Sequence, residues 1–565
     1  MAKEIIIHAG EEETKVAVLE NDTVVEVYIE RSNAQRLVGN IFKGRVENVL
    51  PGMQAAFVDI GLEKNAFLYV EDALPPRAAN GTRPEAGINI TSVLRRAQEI
   101  IVQVAKPPFG TKGPRVTTHI TLPGRYLVLM PTMDYIGVSR RISPEKERER
   151  LKSLAAGVKP EGMGLIVRTV AEGVDEEELR QDVNILTRLW KKILSRAKNS
   201  PAPSLIHRDV ELSQRILRDL FTEDVDRLIV DSRYEYEKIM DILEIISPRL
   251  RSRVVLEMRN NLFLEYGIDQ EIEKALKRKV WLKSGGYIVI DQTEALTAID
   301  VNTGKFVGTT DLEDTVLKTN LEAAVEIARQ IRLRNLGGII VVDFIDMQKE
   351  NHRQQVLAAL EGEFRRDRTK TNILGITPLG LLELTRKKVR PSLAEVLQRP
   401  CPYCEGRGKV LSEETVGIHI KHQIYDLARR TAADTILVEA HPHVAARLIG
   451  SGGVNLRDLE KQTGKNIYIR GTHTQHIESV SIRPLYDRAE IKAQSLPVHP
   501  GQLLEVKVEE PHISKAEDGI ARVNGFVLDI EGAGALVGET VPVEIDRVYR
   551  TYARARLVKS VLTHK

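Results

Sequence analysis

The sequence has few cysteines, few aromatic residues and almost no excess of charge. Its 565 residues include two cysteines, and only 5% are aromatic. The 82 basic residues nearly balance the 79 acidic residues, which leaves a net charge of +3. A binding site for a polyanion must therefore arise from a local arrangement of side chains rather than from overall charge.

Long hydrophobic runs are also absent. No continuous apolar run in the sequence approaches the roughly 20 residues of a membrane-spanning helix. The first residues, MAKEIIIHAGEEE, are too acidic for a signal peptide. We therefore expect a cytoplasmic protein with no membrane span. With 42% apolar residues, the chain is long enough for several domains, since one domain usually takes roughly 100–200 residues.

Two apolar runs each lead to a carboxylate. AIDVNTGKFVG contains Asp300 and Asn302, and GGIIVVDFIDM contains Asp343. The segment between them, LEDTVLKTNLEAAVEIARQIRLRN, has a helical pattern, with Asp311 or a neighbouring threonine as the expected N-cap. A right-handed crossover would make the two strands parallel and adjacent, about 4.8 Å apart. Both carboxylates would then lie at the same carboxyl edge of the sheet.

Two ionised carboxylates this close repel each other. A shared proton or a hard divalent cation stabilises such a pair, and Mg2+ commonly binds one or two carboxylates together with substrate phosphate oxygens. The pattern therefore indicates phosphoryl transfer. Ordinary strand-end residues that start a turn and cap the next helix are the alternative interpretation. Asp346 has the opposite strand parity and is expected in a loop or cap.

The motifs AIDVNTG and RNLGGIIVVDFIDM resemble the catalytic core of the RNase E/RNase G family of bacterial endoribonucleases. The likeness extends from the first strand to about residue 490. It implies that Asp300 and Asp343 hold Mg2+ and that Asn302 helps to place the scissile phosphate. The implied activity is cleavage of single-stranded RNA to 5′-phosphate and 3′-hydroxyl ends, in rRNA and tRNA processing and mRNA decay. A non-catalytic RNA-binding or ribosome-assembly factor and, more weakly, a DNA nuclease are the alternatives.

The segment after Gly39 reads as short strands with glycine turns and resembles an S1-type RNA-binding barrel. Such barrels stack bases on aromatic rings while basic groups follow the backbone. The resemblance places Phe57, Phe67 and Lys112 on the RNA-binding face. A core position for both phenylalanines is the alternative.

A phosphate receptor is indicated where Arg168 and Thr169 follow a predicted buried strand. Arginine offers forked donors and threonine adds a hydroxyl, although surface salt bridges and turn contacts are the alternative. The resemblance assigns both residues to a pocket that senses the 5′-monophosphate of RNA, with Arg141 and Val128 around it. Lys370 stands where the family has arginine, which keeps the charge and loses the bidentate fork.

The resemblance implies an α/β and α+β multidomain protein in which an RNase H-like subdomain is interrupted by two insertions. The expected domains are RNase H-like (1–36 and 215–278), S1 barrel (37–118), 5′-sensor (119–214), DNase I-like catalytic (279–399), zinc link (400–412), small KH-like or dimerisation (413–490) and TRAM-like barrel (496–560).

The two cysteines, Cys401 and Cys404, form one CxxC motif before two glycines. Structural zinc needs four ligands, so the other two must come from elsewhere. A second chain, or His419 and His422 at a spacing one residue shorter than usual, would supply them; a redox CxxC is a third interpretation. The resemblance favours a zinc shared between two chains, in a homodimer or homotetramer.

The C-terminal third contains two further RNA-binding signatures. Gly450 to Gly453 is a GxxG between apolar helical segments, as in KH domains, and a plain glycine turn is the alternative. The last segment resembles a TRAM barrel, which suggests additional RNA, ribosome or RNA-decay partners. Its candidate basic edge is formed by Arg547, Arg550, Arg554 and Arg556, although solvated arginines are the alternative.

Overall fold

The computed structural model describes residues 2–31, 37–73, 89–108, 112–142, 144–259, 261–304, 312–486, 498–512, 515–523, 526–549 and 552–558. The chain divides into two units, Met1–Gln398 and Arg399–Lys565. Within the described residues, no helix has the length and apolar character needed to cross a membrane.

The first unit begins with three antiparallel strands, which are followed along the chain by a closed barrel. The strands are β1 (Lys3–Ala9), β2 (Glu13–Glu20) and β3 (Thr23–Arg31). The barrel segment comprises β4 (Ile41–Leu50), β5 (Ala55–Asp59), β6 (Ala66–Tyr69), α1 (Val70–Ala73), α2 (Ile90–Val93), β7 (Glu99–Lys106) and β8 (Arg115–Thr117). Five strands follow the order β4-β5-β6-β8-β7, and pairing of β4 with β7 closes the barrel. The sequence prediction of a barrel here is confirmed.

A small α/β layer follows the barrel. It comprises β9 (Leu122–Pro123), β10 (Leu127–Met130), β11 (Ile136–Val138), α3 (Glu145–Val158), β12 (Gly164–Val167) and α4 (Glu176–Asn199). The strand order is β11-β12-β10-β9, and buried residues of α3 and α4 pack against this sheet. A capping box starts α4, because Asp175 accepts the N–H of Glu178 and Glu178 accepts that of Asp175.

The chain then returns to its first sheet. The next elements are β13 (Ser204–His207), α5 (Leu212–Asp219), β14 (Arg227–Val230), α6 (Arg233–Ile246), β15 (Val254–Leu256), α7 (Leu262–Glu265) and α8 (Ile268–Ala275). β14 pairs in parallel with β1, which gives the order β15-β14-β1-β2-β3. One sheet is thus built from two distant segments, as the resemblance implied, while its RNase H-like character stays a prediction.

The remaining sheet of this unit has six strands. Its elements are β16 (Lys279–Trp281), β17 (Tyr287–Gln292), β18 (Leu296–Asn302), α9 (Leu312–Leu333), β19 (Gly338–Asp343), α10 (Glu350–Phe364), β20 (Thr371–Ile376), β21 (Leu381–Arg386) and α11 (Leu393–Leu397). The order is β16-β17-β18-β19-β21-β20. We call this the central sheet.

The central sheet buries only one of its two faces, and we call the other its open face. In β18, Thr297, Ile299 and Val301 are buried, and the alternate residues point to the other face. Buried residues of α9 and α10 form one core with the buried strand residues. The sequence therefore predicted α9 and its two flanking strands correctly, while Asp311, its expected N-cap, lies outside the described residues.

Helix α9 also holds the first sheet. Near its end, Arg332 donates to Glu20 on β2 at 2.7 Å and to Glu26 on β3 at 3.2 Å. The Arg332 side chain is 5% exposed. Burial opposes ionisation of Glu26, but the charge of Arg332 and the hydrogen bond from Tyr28 outweigh it and lower the pKa of Glu26.

The second unit contains a three-stranded sheet and a barrel. The first part comprises α12 (Glu413–Arg430), β22 (Thr435–Ala440), α13 (Pro442–Ile449), α14 (Val454–Thr463), β23 (Asn466–Gly471) and β24 (Val480–Leu485), with strand order β23-β22-β24. The barrel comprises β25 (Leu503–His512), β26 (Lys515–Val523), β27 (Phe526–Glu531), β28 (Thr540–Val548) and β29 (Tyr552–Leu557), closed in the order β25-β26-β27-β29-β28.

Candidate functional site

Two carboxylates and one amide meet on the open face of the central sheet. β18 and β19 are parallel neighbours, and Asp300 is the direct cross-strand partner of Asp343. Both side chains are exposed. Asn302, two residues beyond Asp300 on the same face, donates its Nδ2 hydrogen to Asp300 Oδ2 at 2.7 Å. The predicted juxtaposition is therefore present, at the carboxyl edge of both strands.

Asp300 and Asp343, which we call the acid pair, offer the carboxylate oxygens that Mg2+ prefers as ligands. Among the described residues, no three potential metal-binding His, Cys, Asp or Glu side chains converge. The chain thus offers two carboxylates, and water and phosphate oxygens would complete an octahedron, which is how Mg2+ is usually bound. Asp346 lies beyond β19 in the loop before α10, as expected from its parity.

A strip of aromatic side chains lies on the first barrel. Phe57 on β5 and Phe67 on β6 are direct cross-strand partners, with ring centroids 5.7 Å apart. Tyr69 extends the strip at 4.6 Å from Phe67, and the Arg115 guanidinium lies 4.7 Å from the Tyr69 ring. Both phenylalanines are only half-buried, so the core alternative is wrong for them. Lys112 is exposed just before β8.

Tyr69 and Arg115 were not predicted from the sequence. A signal for Tyr69 was available, because it follows Phe67 by two residues and so shares its strand face. Arg115 carried no comparable signal, because its place over the ring depends on the pairing of β6 with β8. This pairing brings together residues that lie far apart in the chain.

The predicted phosphate-sensor residues lie at the end of β12, but their side chains have different partners. Arg168 donates to the carbonyl oxygen of Gly124 at 2.7 Å and to Asp219 Oδ1 at 2.7 Å. The Thr169 hydroxyl is 2.8 Å from the Ser139 hydroxyl. Ser139 Oγ also accepts the N–H of Arg141 at 3.4 Å.

Val128 lies in β10 opposite Ile166 of β12. Its side chain is half-buried. The structure thus brings Thr169 and Arg141 together through Ser139, with Val128 on the neighbouring strand.

Asp219 is a further residue that the sequence did not single out. Its carboxylate receives Arg168 and also Arg218, at 2.9 Å, while its carbonyl oxygen accepts Arg368 at 2.7 Å. Burial opposes ionisation of Asp219, but the hydrogen bond from Arg218 and the charge of Arg168 outweigh it and lower its pKa. Arg368 is two residues before Lys370, which is exposed. Asp219 therefore connects the predicted sensor to the segment that carries Lys370.

The cysteine motif forms a turn before α12. Gly408 donates its N–H to Cys404 Sγ at 3.3 Å. Backbone N–H groups of Cys404 and Tyr403 lower the pKa of the Cys401 thiol. Donors aimed at sulfur favour thiolates, the form that binds zinc. His419 and His422 are exposed on α12, and in the fully described stretch 399–486 they form no metal-binding cluster with the cysteines.

The other C-terminal candidates have mixed outcomes. Gly450–Gly453 lies between α13 and α14, as the GxxG pattern predicted. Arg554 is 3.5 Å from Asp529, and Arg556 is 3.3 Å from Asp546. Arg547 is 3.9 Å from Asp546, and Arg550 lies outside the described residues. The predicted basic edge is therefore partly neutralised by carboxylates.

Comparison with known families accounts for most of the chain. A model described as "Ribonuclease E/G family" matches residues 121–389. A model described as "RNase E/G, Thioredoxin-like domain" matches residues 400–485, and one for the TRAM domain matches residues 497–558. The predicted TRAM barrel is thus confirmed. The thioredoxin-like description differs from the KH-like interpretation of this region, which stays a prediction.

Individual relatives extend this similarity beyond the family models. Ribonuclease G of Salmonella typhimurium (strain SL1344) is 45% identical over 492 residues, which cover 86% of this chain and 98% of that protein. Ribonuclease G of Escherichia coli (strain K12) is 44% identical with the same coverage. Ribonuclease E of Nostoc sp. is 44% identical over 413 residues, which cover 72% of this chain and 59% of that protein. The chain belongs to the ribonuclease E/G family of endoribonucleases.

Proposed function

We propose that this endoribonuclease cleaves single-stranded RNA at the acid pair of the central sheet, with Mg2+, and leaves 5′-phosphate and 3′-hydroxyl ends. The observation that carries the proposal is the register of β18 and β19, which places Asp300 beside Asp343 on an exposed face. Two adjacent anions on an open surface have no structural purpose of their own, because they repel each other. Family membership supports RNA as the substrate.

In this proposal, one group of residues binds the RNA strand and another group acts at the bond that is cleaved. Phe57, Phe67 and Lys112 of the first barrel hold the strand by stacking and by charge. Asp300 and Asp343 would hold Mg2+, which when bound supplies a Lewis acid at the phosphate and lowers the pKa of coordinated water. Asn302 orients the Asp300 carboxylate through its 2.7 Å hydrogen bond and keeps an amide oxygen available for positioning.

We extend the proposal to stimulation by a 5′-monophosphate. Thr169 offers an exposed hydroxyl beside Arg141, and Arg168 is held half-buried by Asp219. Arg168 uses both terminal nitrogens on protein acceptors. Its role would therefore be to complete the positive wall of the pocket, with Lys370 as a point charge rather than a fork.

Zinc would join two copies of the chain. Cys401 and Cys404 supply two thiolates, and no further metal-binding side chain joins them within residues 399–486. A site completed by the same motif of a second copy fits structural zinc, which takes four ligands. Metal analysis should then give one zinc per two chains. One zinc per chain, lost on His419→Ala, would contradict the shared site.

The cellular role that we propose is the one implied by the resemblance to the family. We place the enzyme in the cytoplasm, in rRNA and tRNA processing and mRNA decay, with ribosomes or RNA-decay proteins as candidate partners. The TRAM match supports additional contact with RNA. A non-catalytic RNA-binding role is the second candidate, since both barrels would suffice for it, but it leaves the acid pair without a purpose.

One cleavage assay tests the main proposal. The substrate is an A/U-rich oligoribonucleotide carrying either a 5′-monophosphate or a 5′-hydroxyl, incubated with and without Mg2+. We expect cleavage only with Mg2+, faster with the monophosphate, and lost in Asp300→Asn while RNA binding persists. Asp291→Asn is the matched control, because Asp291 lies on the same sheet face and is paired with Arg278. Full activity of Asp300→Asn would refute the acid pair, and equal rates on both substrates would refute the sensor.

A further inference from the structure

A tryptophan, a tyrosine and a lysine form a surface on the open face of the central sheet, beside the acid pair. Trp281 on β16 is the cross-strand partner of Tyr287 on β17, and Tyr287 is the partner of Asn302 on β18. These three residues form one row across the sheet. Neighbouring strands lie about 4.8 Å apart, so Trp281 is about 10 Å from the site of Asn302.

The next row joins this surface to the carboxylates. Lys279 pairs with Val289, which pairs with Asp300, which pairs with Asp343. The intervening residues Val280 and Ile288 are buried on the other face. All members of both rows therefore share the open face of the sheet.

Trp281 is exposed, although tryptophan side chains are large and are on average highly buried. It is 60% exposed, whereas Trp190, the second of the two tryptophans in the chain, is 7% exposed on α4. The Trp281 and Tyr287 ring centroids are 5.4 Å apart at an interplanar angle of 65°. Lys279 Nζ lies 4.0 Å from the Trp281 centroid and 3.5 Å from the Tyr287 centroid. The lysine therefore places its amino group within cation–π distance of both rings.

We propose that Trp281, Tyr287 and Lys279 form a subsite for one nucleotide of the substrate strand, next to the bond that is cut. Trp281 would stack the base, and Lys279 would contact a flanking phosphate. A ring with a free face beside a cation is the combination by which proteins hold single-stranded nucleic acid without reading its sequence. The inference rests on the proposed function, because the occupant is the RNA that the acid pair would cleave.

The subsite would complement the strip on the first barrel. The barrel holds the strand through Phe57 and Phe67, whereas Trp281 would fix a base within two strands of the carboxylates. Removing a stacking side chain costs about 1–3 kcal/mol per base, which corresponds to about 5- to 150-fold in affinity. We expect Trp281→Ala to raise KM by about tenfold, and Trp281→Phe to raise it less, because phenylalanine keeps a ring.

Fluorescence provides a direct test, because only two tryptophans are present and Trp190 is buried. Asp300→Asn protein is titrated with a short single-stranded oligoribonucleotide, and binding is followed independently by anisotropy of a terminal dye. We expect RNA to quench the exposed tryptophan, and Trp281→Phe in the same background to lose the quenching while still binding. In a series of oligonucleotides, each lacks the base at one position, and this position differs from one oligonucleotide to the next. We expect the quenching to be lost for only one position of the missing base.

The matched control is Tyr234→Ala. Tyr234 is 75% exposed on α6, and Lys238 Nζ lies 6.0 Å from its ring, so it is another exposed aromatic residue with a lysine near it. Its substitution should leave KM unchanged. RNA binding without quenching, or an unchanged KM in Trp281→Ala, would overturn the subsite. Quenching by RNA together with a wild-type protein that never cleaves would instead retain the subsite and refute the proposed function.

Discussion

Acidic residues lie on both sides of the central sheet, and their surroundings differ. On the open face, Asp300 and Asp343 are exposed, and Asp300 accepts a hydrogen bond from the neutral amide of Asn302. On the core side, Asp367 is 1% exposed and receives Arg386, which is 4% exposed, at 2.7 Å. Arg386 also donates to the carbonyl oxygen of Leu336 at 2.8 Å.

The difference follows from solvation. A buried carboxylate without a partner is strongly unfavourable, so the chain supplies an arginine inside the fold. An exposed carboxylate is solvated by water and needs no such partner. The open pair is therefore accessible to a cation from solution, whereas the buried carboxylate already has its cation within the fold.

The largest effect should come from Asp343→Asn. It removes one of the two charges that would hold the metal, so cleavage should fall by about 1,000-fold or more, equivalent to about 4 kcal/mol. The side chain is exposed, and stability should change by no more than about 0.5 kcal/mol. Single-turnover cleavage and the urea midpoint measure the two quantities. A large loss of stability would remove the distinction between the faces.

The buried acid should show the reverse pattern. Asp367→Asn leaves Arg386 buried beside a neutral group, and breaking a buried ion pair costs about 3–5 kcal/mol. The urea midpoint should therefore fall, while cleavage per folded molecule stays near that of the wild type. The double variant Asp367→Asn with Arg386→Met should recover part of the stability, because the uncompensated charge is gone. A midpoint equal to that of Asp343→Asn would contradict the comparison.

The smallest effect should come from Asn302→Ala. This change removes the hydrogen bond to Asp300, and a single hydrogen bond contributes about 0.5–1.5 kcal/mol. Cleavage should then fall by about tenfold or less, measured with saturating Mg2+ in the same single-turnover assay. A loss as large as that of Asp343→Asn would show that the contribution of Asn302 exceeds that of a single hydrogen bond.

The acid pair was predictable because its geometry is local. Asp300 and Asp343 are separated by one helix, and a helical crossover between neighbouring strands of one sheet places those strands parallel. An apolar run before each carboxylate then determines the edge at which it emerges. The first barrel was also accessible, since its glycine turns and short strands follow in order along the chain.

Contacts between distant segments were not predictable in this way. The pairing of β1 with β14 joins residues more than 200 positions apart, and periodicity alone does not indicate it. Asp219 and Trp281 were missed for related reasons. The first acts through Arg168 and Arg368 from other segments, and the second depends on which strands flank β18.

Helix α9 makes two sheets dependent on each other. Its 22 residues extend about 33 Å, packing on the central sheet along their length and ending at the arginine that binds β2 and β3. Neither sheet can lose its structure without exposing part of this helix. Melting of the N-terminal strands and inactivation of the enzyme should therefore occur in a single cooperative transition.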